Sequence, residues 1–554
     1  MNPMLNKTKQ WAAIVGVCLT FASMVDTTVR ALSRRGHRLN DEGRHGMTTP
    51  RSSDAAEFDL TRLVSGTGQL SRRQLIQSGA LGAAMITALA ACAPDSAVPK
   101  PTPTASGWTP PSNPMRFPAG FLWGAATSAY QVEGSTNADG RGVSIWDTFA
   151  ALPNTIADGS NGDPAADHYR RWESDLDLMK DLGLGAYRFS VSWPRIQPTG
   201  TGAANPLGVA WYRRLLEGLV KRGIRPAITI YHWDLPQKLQ DRGGWAARAT
   251  AYAFADYADI LFREFGDIDA DWFTINEPKT TAYVGYLYGS QAPGKQDVDL
   301  AAAAVHHQLL AHGLAVQRFR ASGAKGRIGI ALNLLPVYAQ GPEAATPARF
   351  VDAVENRLFL DPVLLGSYPA DAIGSLPGQL AADPDRFAAL ARKGDLAIIS
   401  SKTDLLAVQY YGVTGVDASG AETKIHPTSL ADWQQIYPEG LFDLLTRLRR
   451  DYPRIPIFIT ENGMPDRSAD LTTNDPYRVE FLRQHFLQSS RAIAAGVPLD
   501  GHYVWSLLDN FEWAEGYTQR WGIVAVDFGT QKRTPKKSAA FFTSVIRANA
   551  VATH

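Results

Sequence analysis

The chain has 554 residues, of which 45% are hydrophobic and 20% are charged, so its composition is that of an ordinary globular protein. A formal net charge of +1 gives neither the basic excess of a nucleic-acid-binding protein nor the acidic excess of a disordered chain. Both cysteines, Cys18 and Cys92, precede residue 100, which excludes a disulfide or a cysteine nucleophile in the remainder of the chain.

The first hundred residues predict an export signal. Residues 71–92 read SRRQLIQSGALGAAMITALAAC, in which Arg72 and Arg73 precede an apolar run with many small residues. This order resembles a twin-arginine export signal, and the final LAAC resembles the lipobox of bacterial lipoproteins, which implies lipidation of Cys92. An ordinary buried helix is the alternative interpretation of the same run.

Two flanking segments complete the predicted organisation. The upstream apolar run at residues 11–25 is short for a membrane span, and two export signals in series make little sense, so we expect translation to start at Met47. The Pro-rich residues 92–114 favour an extended tether. We therefore predict an export region (1–91, with 1–46 not translated), the tether, a catalytic domain (115–549) and a C-terminal tail (550–554). Export would leave the protein lipid-anchored outside the cell membrane or in the cell envelope.

From Phe117 onward, short β-rich runs alternate with amphipathic helical patterns. Several of the runs are almost continuously apolar, which is typical of parallel strands covered on both faces. Eight strand–helix units predict an α/β fold, a single (β/α)8 TIM barrel, with long insertions after the first, fourth, fifth, sixth and seventh strands. The predicted strands are 121–129, 185–193, 225–233, 271–277, 327–335, 405–412, 456–463 and 501–509.

Two of these strands end on a glutamate beside an asparagine, in the motifs TINEP and ITENG. Glu277 closes the fourth strand and Glu461 the seventh, and a buried carboxylate is costly unless it is paired or hydrogen-bonded. Parallel strands of a barrel end on the same face, so both side chains can point into one mouth. The two glutamates are either structural anchors or a pair that does chemistry.

These motifs and several others resemble family 1 glycoside hydrolases of the retaining β-glucosidase type over residues 115–549. The resemblance implies an exo-acting β-glycosidase that forms a covalent glycosyl-enzyme, with Glu461 as nucleophile, Glu277 as general acid/base and carboxyls roughly 5 Å apart. Glu277 should then have a raised pKa, whereas Glu461 should be ionised. The other motifs are FPAGFLWGAATSAYQVEG, YRFSVSWPRI, YHWDLPQ, YPEGL, WSLLDNFEW and KRTPKKS.

The resemblance also implies roles for other residues of the pocket. Support for the nucleophile would come from Arg188 and Tyr411. The residues that bind sugar hydroxyls would be Gln131, His232, Asn276 and Glu512. Trp505 and Trp513 would form the stacking platform and the upper wall. Trp233 and Asn333 are weaker candidates, for the pocket wall and the aglycone side.

One residue departs from the family pattern, and several alternatives stay open. Gln409 stands where the family usually has asparagine, which leaves the geometry beside the nucleophile open. The sequence predicts no cofactor and no metal, small-molecule β-glucosides or oligosaccharides as partners, no nucleic acid, and membrane contact only through a lipid anchor. A non-catalytic sugar-binding relative, a transglycosylase and a β-galactosidase or β-fucosidase are the alternatives. A phospho-glycosidase is disfavoured, because the Glu512 carboxylate would repel a phosphate.

Overall fold

A computed structural model describes residues 109–370, 389–452, 454–466 and 473–553. The predicted export region, Cys92 and the first part of the tether lie outside these residues. Eight parallel strands form a closed barrel, which confirms the predicted (β/α)8 fold. The strands, in chain order, are β1 Leu122–Ala126, β2 Ala186–Ser190, β3 Arg225–Tyr231, β4 Ala270–Asn276, β5 Gly326–Asn333, β6 Leu405–Gln409, β7 Ile457–Glu461 and β8 Leu499–Trp505.

The paired strands are shorter at their carboxyl ends than most of the apolar runs that predicted them. The sixth run was predicted to reach residue 412, whereas β6 ends at Gln409. Tyr410 and Tyr411 follow outside the ladder and turn their rings to different surroundings. Apolar and aromatic residues continue past the strand ends because they build the walls of the barrel mouth.

Helices surround the barrel, as the amphipathic patterns predicted. The first of them, His168–Leu182, stops at Gly183, whose φ of 81° is a left-handed conformation that suits glycine. The other long helices are Pro206–Lys221, Arg248–Phe265, Val298–Ser322, Ala345–Asp352, Leu358–Leu364, Pro438–Asp451, Pro476–Ala494 and Lys537–Ala548. Shorter helical segments are Ala129–Val132, Ile145–Ala150, Trp193–Ile196, Gln237–Gln240, Gly244–Ala246, Pro278–Thr280, Thr281–Leu287, Pro342–Ala344, Ala353–Arg357, Asp395–Ile399 and Trp513–Glu515.

Side chains fill the interior of the barrel. Phe273, Phe458 and Tyr503 are fully buried there together with small alanines from neighbouring strands. Gly124 on β1 is required by this packing, because a Cβ at that position would lie 1.9 Å from Cδ1 of Tyr503. The filled interior leaves the carboxyl-terminal mouth as the place where a ligand can enter.

Within the part of the chain that the structure describes, three small sheets lie outside the barrel. Met115–Arg116 pairs with Ala550–Val551, so two residues of the predicted C-terminal tail belong to a strand. Other strands are Val337–Ala339, Thr414–Val416 and Glu422–Thr423 in one sheet, and Val524–Asp527 with Lys532–Pro535 in a hairpin. No helix among the described residues is long and apolar enough to cross a membrane.

Candidate active site

Glu277 lies at the mouth of the barrel, directly after β4. Its backbone has φ 44° and ψ 66°, a left-handed conformation that is uncommon for residues other than glycine. Its amide donates to the carbonyl oxygen of Ala331 on β5 (2.9 Å), and the short helix Pro278–Thr280 begins at the next residue. The side chain is buried, with 7% of the residue exposed. The turn thus places a carboxyl group inside the mouth instead of in solvent.

Glu461, the last residue of β7, receives three hydrogen bonds. Arg188 Nη1 and Gln409 Nε2 (2.6 Å) donate to its Oε1, and the Tyr411 hydroxyl donates to its Oε2 (2.7 Å). Burial raises the pKa of Glu461, whereas Arg188 and Tyr411 oppose that shift because they stabilise the charged form. The arginine and the two neutral donors therefore favour an ionised carboxylate at this position.

The Glu277 carboxyl is in a different environment. Burial and then the charge of Glu461 raise its pKa to about 8, although a hydrogen bond from the Thr280 hydroxyl (2.7 Å) opposes the shift. Between the two carboxyls, the proton therefore belongs on Glu277 and the negative charge on Glu461. A buried proton donor facing an ionised carboxylate is the division of roles that acid-assisted nucleophilic displacement requires.

Asn276 and His232 extend the network away from Glu461. Asn276 Oδ1 accepts from Arg188 Nη2 (2.5 Å) and from Gln409 Nε2 (2.7 Å), so the Nδ2 of Asn276 faces His232 Nε2 at 3.1 Å. Burial and the nearby Arg188 lower the pKa of His232 well below its usual value. The ring is therefore neutral and, since its Nε2 accepts from Asn276, its Nδ1 carries the hydrogen.

Aromatic rings form a continuous wall around His232. The imidazole is nearly parallel to the rings of Trp505 (centroids 5.9 Å apart) and Trp513 (5.8 Å). Trp233 contacts Trp513 with centroids 4.6 Å apart, and its Nε1 donates to the carbonyl oxygen of Asn276 (3.1 Å). Flat apolar faces beside hydrogen-bonding groups are suited to a sugar ring, which has one apolar C–H face and several hydroxyls.

Gln131 and Glu512 lie together in the same pocket. Gln131 Nε2 donates to Asn510 Oδ1 (3.0 Å) and to the carbonyl oxygen of Phe511 (2.9 Å), with Glu512 Oε2 at 3.4 Å. Burial and then the charge of Glu461 raise the pKa of Glu512 to about 8. A pKa of about 8 favours the protonated form of Glu512 at neutral pH, which weakens the expectation that its charge repels a phosphate.

Sequence reasoning missed the contacts of Thr280 and Lys279, which follow Glu277 in the chain. Thr280 donates to Glu277 and in turn accepts from Asn333 Nδ2 (3.0 Å), so Asn333 is connected to Glu277 through a hydroxyl. Lys279 Nζ pairs with Glu355 Oε2 at 2.9 Å. The only available signal was spacing, because a residue three positions after Glu277 lies one helical turn away and can reach back to it.

The three histidines of the helix Val298–Ser322 are buried packing residues. His306 contacts Asp395 through Nε2 (3.0 Å), His307 contacts the carbonyl oxygen of Trp245 (3.0 Å), and His312 contacts Thr274 (2.8 Å). They pack between this helix and its neighbours and not towards the mouth of the barrel.

Comparison with known proteins agrees with this geometry. Residues 113–551 match the family model described as Glycosyl hydrolase family 1. Beta-glucosidase A of Thermotoga maritima is 43% identical over 450 residues, which cover 79% of this chain and 99% of that protein. Thermostable beta-glucosidase B of Thermobispora bispora is 45% identical over 448 residues, 78% of this chain and 91% of that protein. The structure of the Thermotoga maritima beta-glucosidase in complex with glucoimidazole matches with a TM-score of 0.74 at 42% identity, covering 79% of this chain and all of that one.

Proposed function

The chain belongs to glycosyl hydrolase family 1 and is a retaining β-glucosidase, and we propose that Glu461 is its nucleophile and Glu277 its general acid and base. One observation carries this assignment: the two buried carboxyls at the mouth have opposite surroundings. Glu461 has an arginine and two further donors, whereas Glu277 has a pKa raised to about 8 by burial and by the neighbouring charge.

In the first step, a carboxylate oxygen of Glu461 attacks the anomeric carbon of the glucoside. The bond from that carbon to the leaving oxygen breaks, and Glu277 transfers its proton to the leaving oxygen. The products are a covalent glycosyl-enzyme and a free alcohol or shortened oligosaccharide. A separation of roughly 5 Å between the two carboxyls is what this route needs and stays a prediction.

In the second step, the ionised Glu277 takes a proton from a water molecule that attacks the same anomeric carbon. The ester bond to Glu461 breaks, glucose leaves with the β configuration, and Glu277 is protonated again. The covalent bond to Glu461 removes its negative charge, which lowers the pKa of Glu277 and converts the acid into a base when a base is needed.

The pocket walls suit a terminal sugar. We assign the hydroxyl contacts to Gln131, His232, Asn276 and Glu512, and the apolar face of the ring to Trp505. Each of these groups is buried or half-buried and already hydrogen-bonded or stacked in place, so little ordering is needed when substrate binds. A mostly protonated Glu512 can both donate to and accept from neighbouring hydroxyls of a neutral sugar.

The nucleophile assignment is tested by Glu461→Ala with and without sodium azide, using a nitrophenyl β-glucoside. We expect the loss of nearly all hydrolysis, and rescue by azide with an α-linked glucosyl azide as the product, because azide attacks from the vacated face. The control is Glu439→Ala, which removes a buried glutamate from the helix Pro438–Asp451, outside the pocket, and should not respond to azide. A β-linked azide from Glu461→Ala would assign the nucleophile to another residue.

We also propose that the enzyme is exported in folded form by the twin-arginine route and anchored through lipid on Cys92. The order of Arg72–Arg73, the apolar run and LAAC supports this, and a catalytic region without cysteine needs no oxidative folding after export. Replacing both arginines by lysine should keep the activity inside the cell, and Cys92→Ser should abolish lipid labelling without changing activity in lysates. Export that persists after the lysine substitutions would contradict this route.

A further inference from the structure

We propose that Gln409 is a positioning residue whose side-chain amide holds Glu461 and Asn276 in a single hydrogen-bonded arrangement. The inference rests on the proposed role of Glu461 as nucleophile. Gln409 is the last residue of β6 and lies opposite Glu461, the last residue of the adjacent β7, directly after a register shift between Ile459 and Glu461. It is fully buried, and its Nε2 donates to Glu461 Oε1 (2.6 Å) and to Asn276 Oδ1 (2.7 Å).

The orientation of this amide is determined by its neighbours. Arg188 donates to both Glu461 Oε1 and Asn276 Oδ1, so both atoms are acceptors and the Gln409 group that faces them must be a donor. A flipped amide would place its carbonyl oxygen against two other oxygens. Both hydrogens of the Gln409 nitrogen are therefore used, one on the carboxylate and one on the neighbouring amide.

The remaining carbonyl oxygen of Gln409 indicates that the residue is not there for stability. This oxygen is buried and accepts no hydrogen bond from the described residues. An unsatisfied buried carbonyl is destabilising, and an apolar side chain would avoid that cost. The carbonyl oxygen of Gln409 is thus unsatisfied, while its amide nitrogen makes two hydrogen bonds. The presence of a glutamine is best explained by the two contacts of its nitrogen.

Its first effect concerns the two oxygens of Glu461. Oε1 receives Arg188 and Gln409, whereas Oε2 receives only the Tyr411 hydroxyl among the described side chains. Two charge-assisted bonds occupy Oε1 and fix the plane of the carboxylate. Oε2, whose single neutral donor can turn away, is then the oxygen presented to the anomeric carbon.

The second effect concerns Asn276. Because Gln409 and Arg188 occupy its Oδ1, the amide of Asn276 is fixed with Nδ2 towards His232, and the pocket meets a donor instead of an acceptor. Gln409 thus connects the group that attacks the sugar with a group assigned to bind it. Loss of this connection should lower the rate of the chemical step more than the affinity for substrate.

Two substitutions in the full chain test the proposal. Gln409→Asn shortens the side chain by one methylene, so that its amide cannot reach both acceptors equally. Gln409→Leu has the shape of that asparagine but lacks both donors, so the two variants differ from each other only in the amide. We expect Gln409→Leu to lower kcat/KM about 100-fold, mainly through kcat. The acid limb of the pH profile of kcat/KM should move to higher pH, because the ionised form of Glu461 loses a hydrogen-bond donor. Gln409→Asn should move the limb in the same direction by less.

Gln488→Leu is the matched control, because Gln488 is also fully buried but lies on the outer helix Pro476–Ala494. It should change the melting temperature without moving the acid limb. The positioning role is wrong if the acid limb stays unchanged in both Gln409 variants. If Gln409→Leu does not fold, an unchanged acid limb in Gln409→Asn is enough to contradict the role. Azide separates this failure from that of the proposed function, because azide should rescue Glu461→Ala but neither Gln409 variant, in which the carboxylate remains.

Discussion

At the amino-terminal end of the barrel, the fully buried Asp271 accepts four N–H groups from Arg225 (3.1 and 3.1 Å) and Arg327 (2.8 and 3.0 Å). At the carboxyl-terminal end, by contrast, Arg188 pairs with Glu461, while the nearby Glu277 is protonated at neutral pH. One end of the barrel thus surrounds a carboxylate with positive charge, and the other end keeps carboxyl groups close to each other.

The difference separates a carboxylate that stabilises the fold from the carboxyl groups that we propose to act on a substrate. The pKa of Glu277 is raised from 4.5 to about 8, so the folded state keeps a proton that the unfolded chain has already released in this range. The folded state therefore loses stability as pH rises from about 4.5 to 8. The charge of Asp271, in contrast, is compensated by its ion pairs with Arg225 and Arg327.

Among the variants that compare the two ends, the largest effect should follow from removing the carboxyl of Glu277, the proposed acid and base. Glu277→Ala should lower kcat/KM about 10³-fold for glucosides with poor leaving groups, because no proton reaches the leaving oxygen. Substrates with good leaving groups should still form the glycosyl-enzyme in a rapid burst, after which hydrolysis stalls without a base. Stopped-flow and steady-state rates on a series of aryl glucosides measure both steps, and azide should yield a β-linked product. Equal losses on good and poor leaving groups would rule out the acid role.

A smaller effect, on stability, should follow from the opposite end. Asp271→Asn should lower the free energy of unfolding by about 2 kcal/mol. The loss should fall below the roughly 3–5 kcal/mol of a fully buried pair, because both arginines are partly exposed and keep other carboxylates, Asp269 and Asp500. Denaturant unfolding at pH 7 measures this change, and kcat/KM of the folded enzyme should stay unchanged.

Glu277→Gln is the matched carboxyl-to-amide variant at the mouth. It should lower kcat/KM for glucosides with poor leaving groups about as much as Glu277→Ala does. The free energy of unfolding at pH 7 should be unchanged or higher, since a neutral amide replaces a group with a raised pKa. A loss of stability in Glu277→Gln as large as that in Asp271→Asn would contradict the contrast between the two ends.

The fold and the outline of the site could be predicted from sequence for a simple reason. The apolar runs specify parallel strands, and parallel strands in a barrel place their last residues on one face, so Glu277 and Glu461 had to approach each other. Arg188, in the middle of β2, and Tyr411, two residues after the end of β6, both contact Glu461. In each case, a position on a barrel strand or directly after one determines where the side chain goes.

The contacts of Gln409 and Thr280 could not be predicted in the same way. Whether a glutamine reaches both Glu461 and Asn276 depends on side-chain torsions and on differences in distance that are smaller than the length one methylene adds to a side chain. The contact of Thr280 depends on the left-handed φ of Glu277. This conformation turns the chain back, so that the Thr280 hydroxyl, one helical turn later, reaches the Glu277 carboxyl. Sequence patterns specify the period of an element but not the conformation of the residue that ends it.

The smallest expected effect concerns that hydroxyl. Thr280 donates to the Glu277 carboxyl and so favours its charged form, which lowers a pKa that burial and Glu461 have raised to about 8. Thr280→Val keeps the shape of the side chain but removes the donor, so the pKa of Glu277 should rise. In the proposed mechanism, activity needs protonated Glu277 and falls as pH increases through the pKa of this group. The alkaline limb of the pH profile of kcat/KM should therefore move to higher pH by about half a unit. Thr250→Val, which alters a buried threonine bonded to the carbonyl oxygen of Gly244, is the control and should leave that limb in place. An alkaline limb that moves to lower pH in Thr280→Val would mean that the hydroxyl stabilises the protonated form of Glu277 instead.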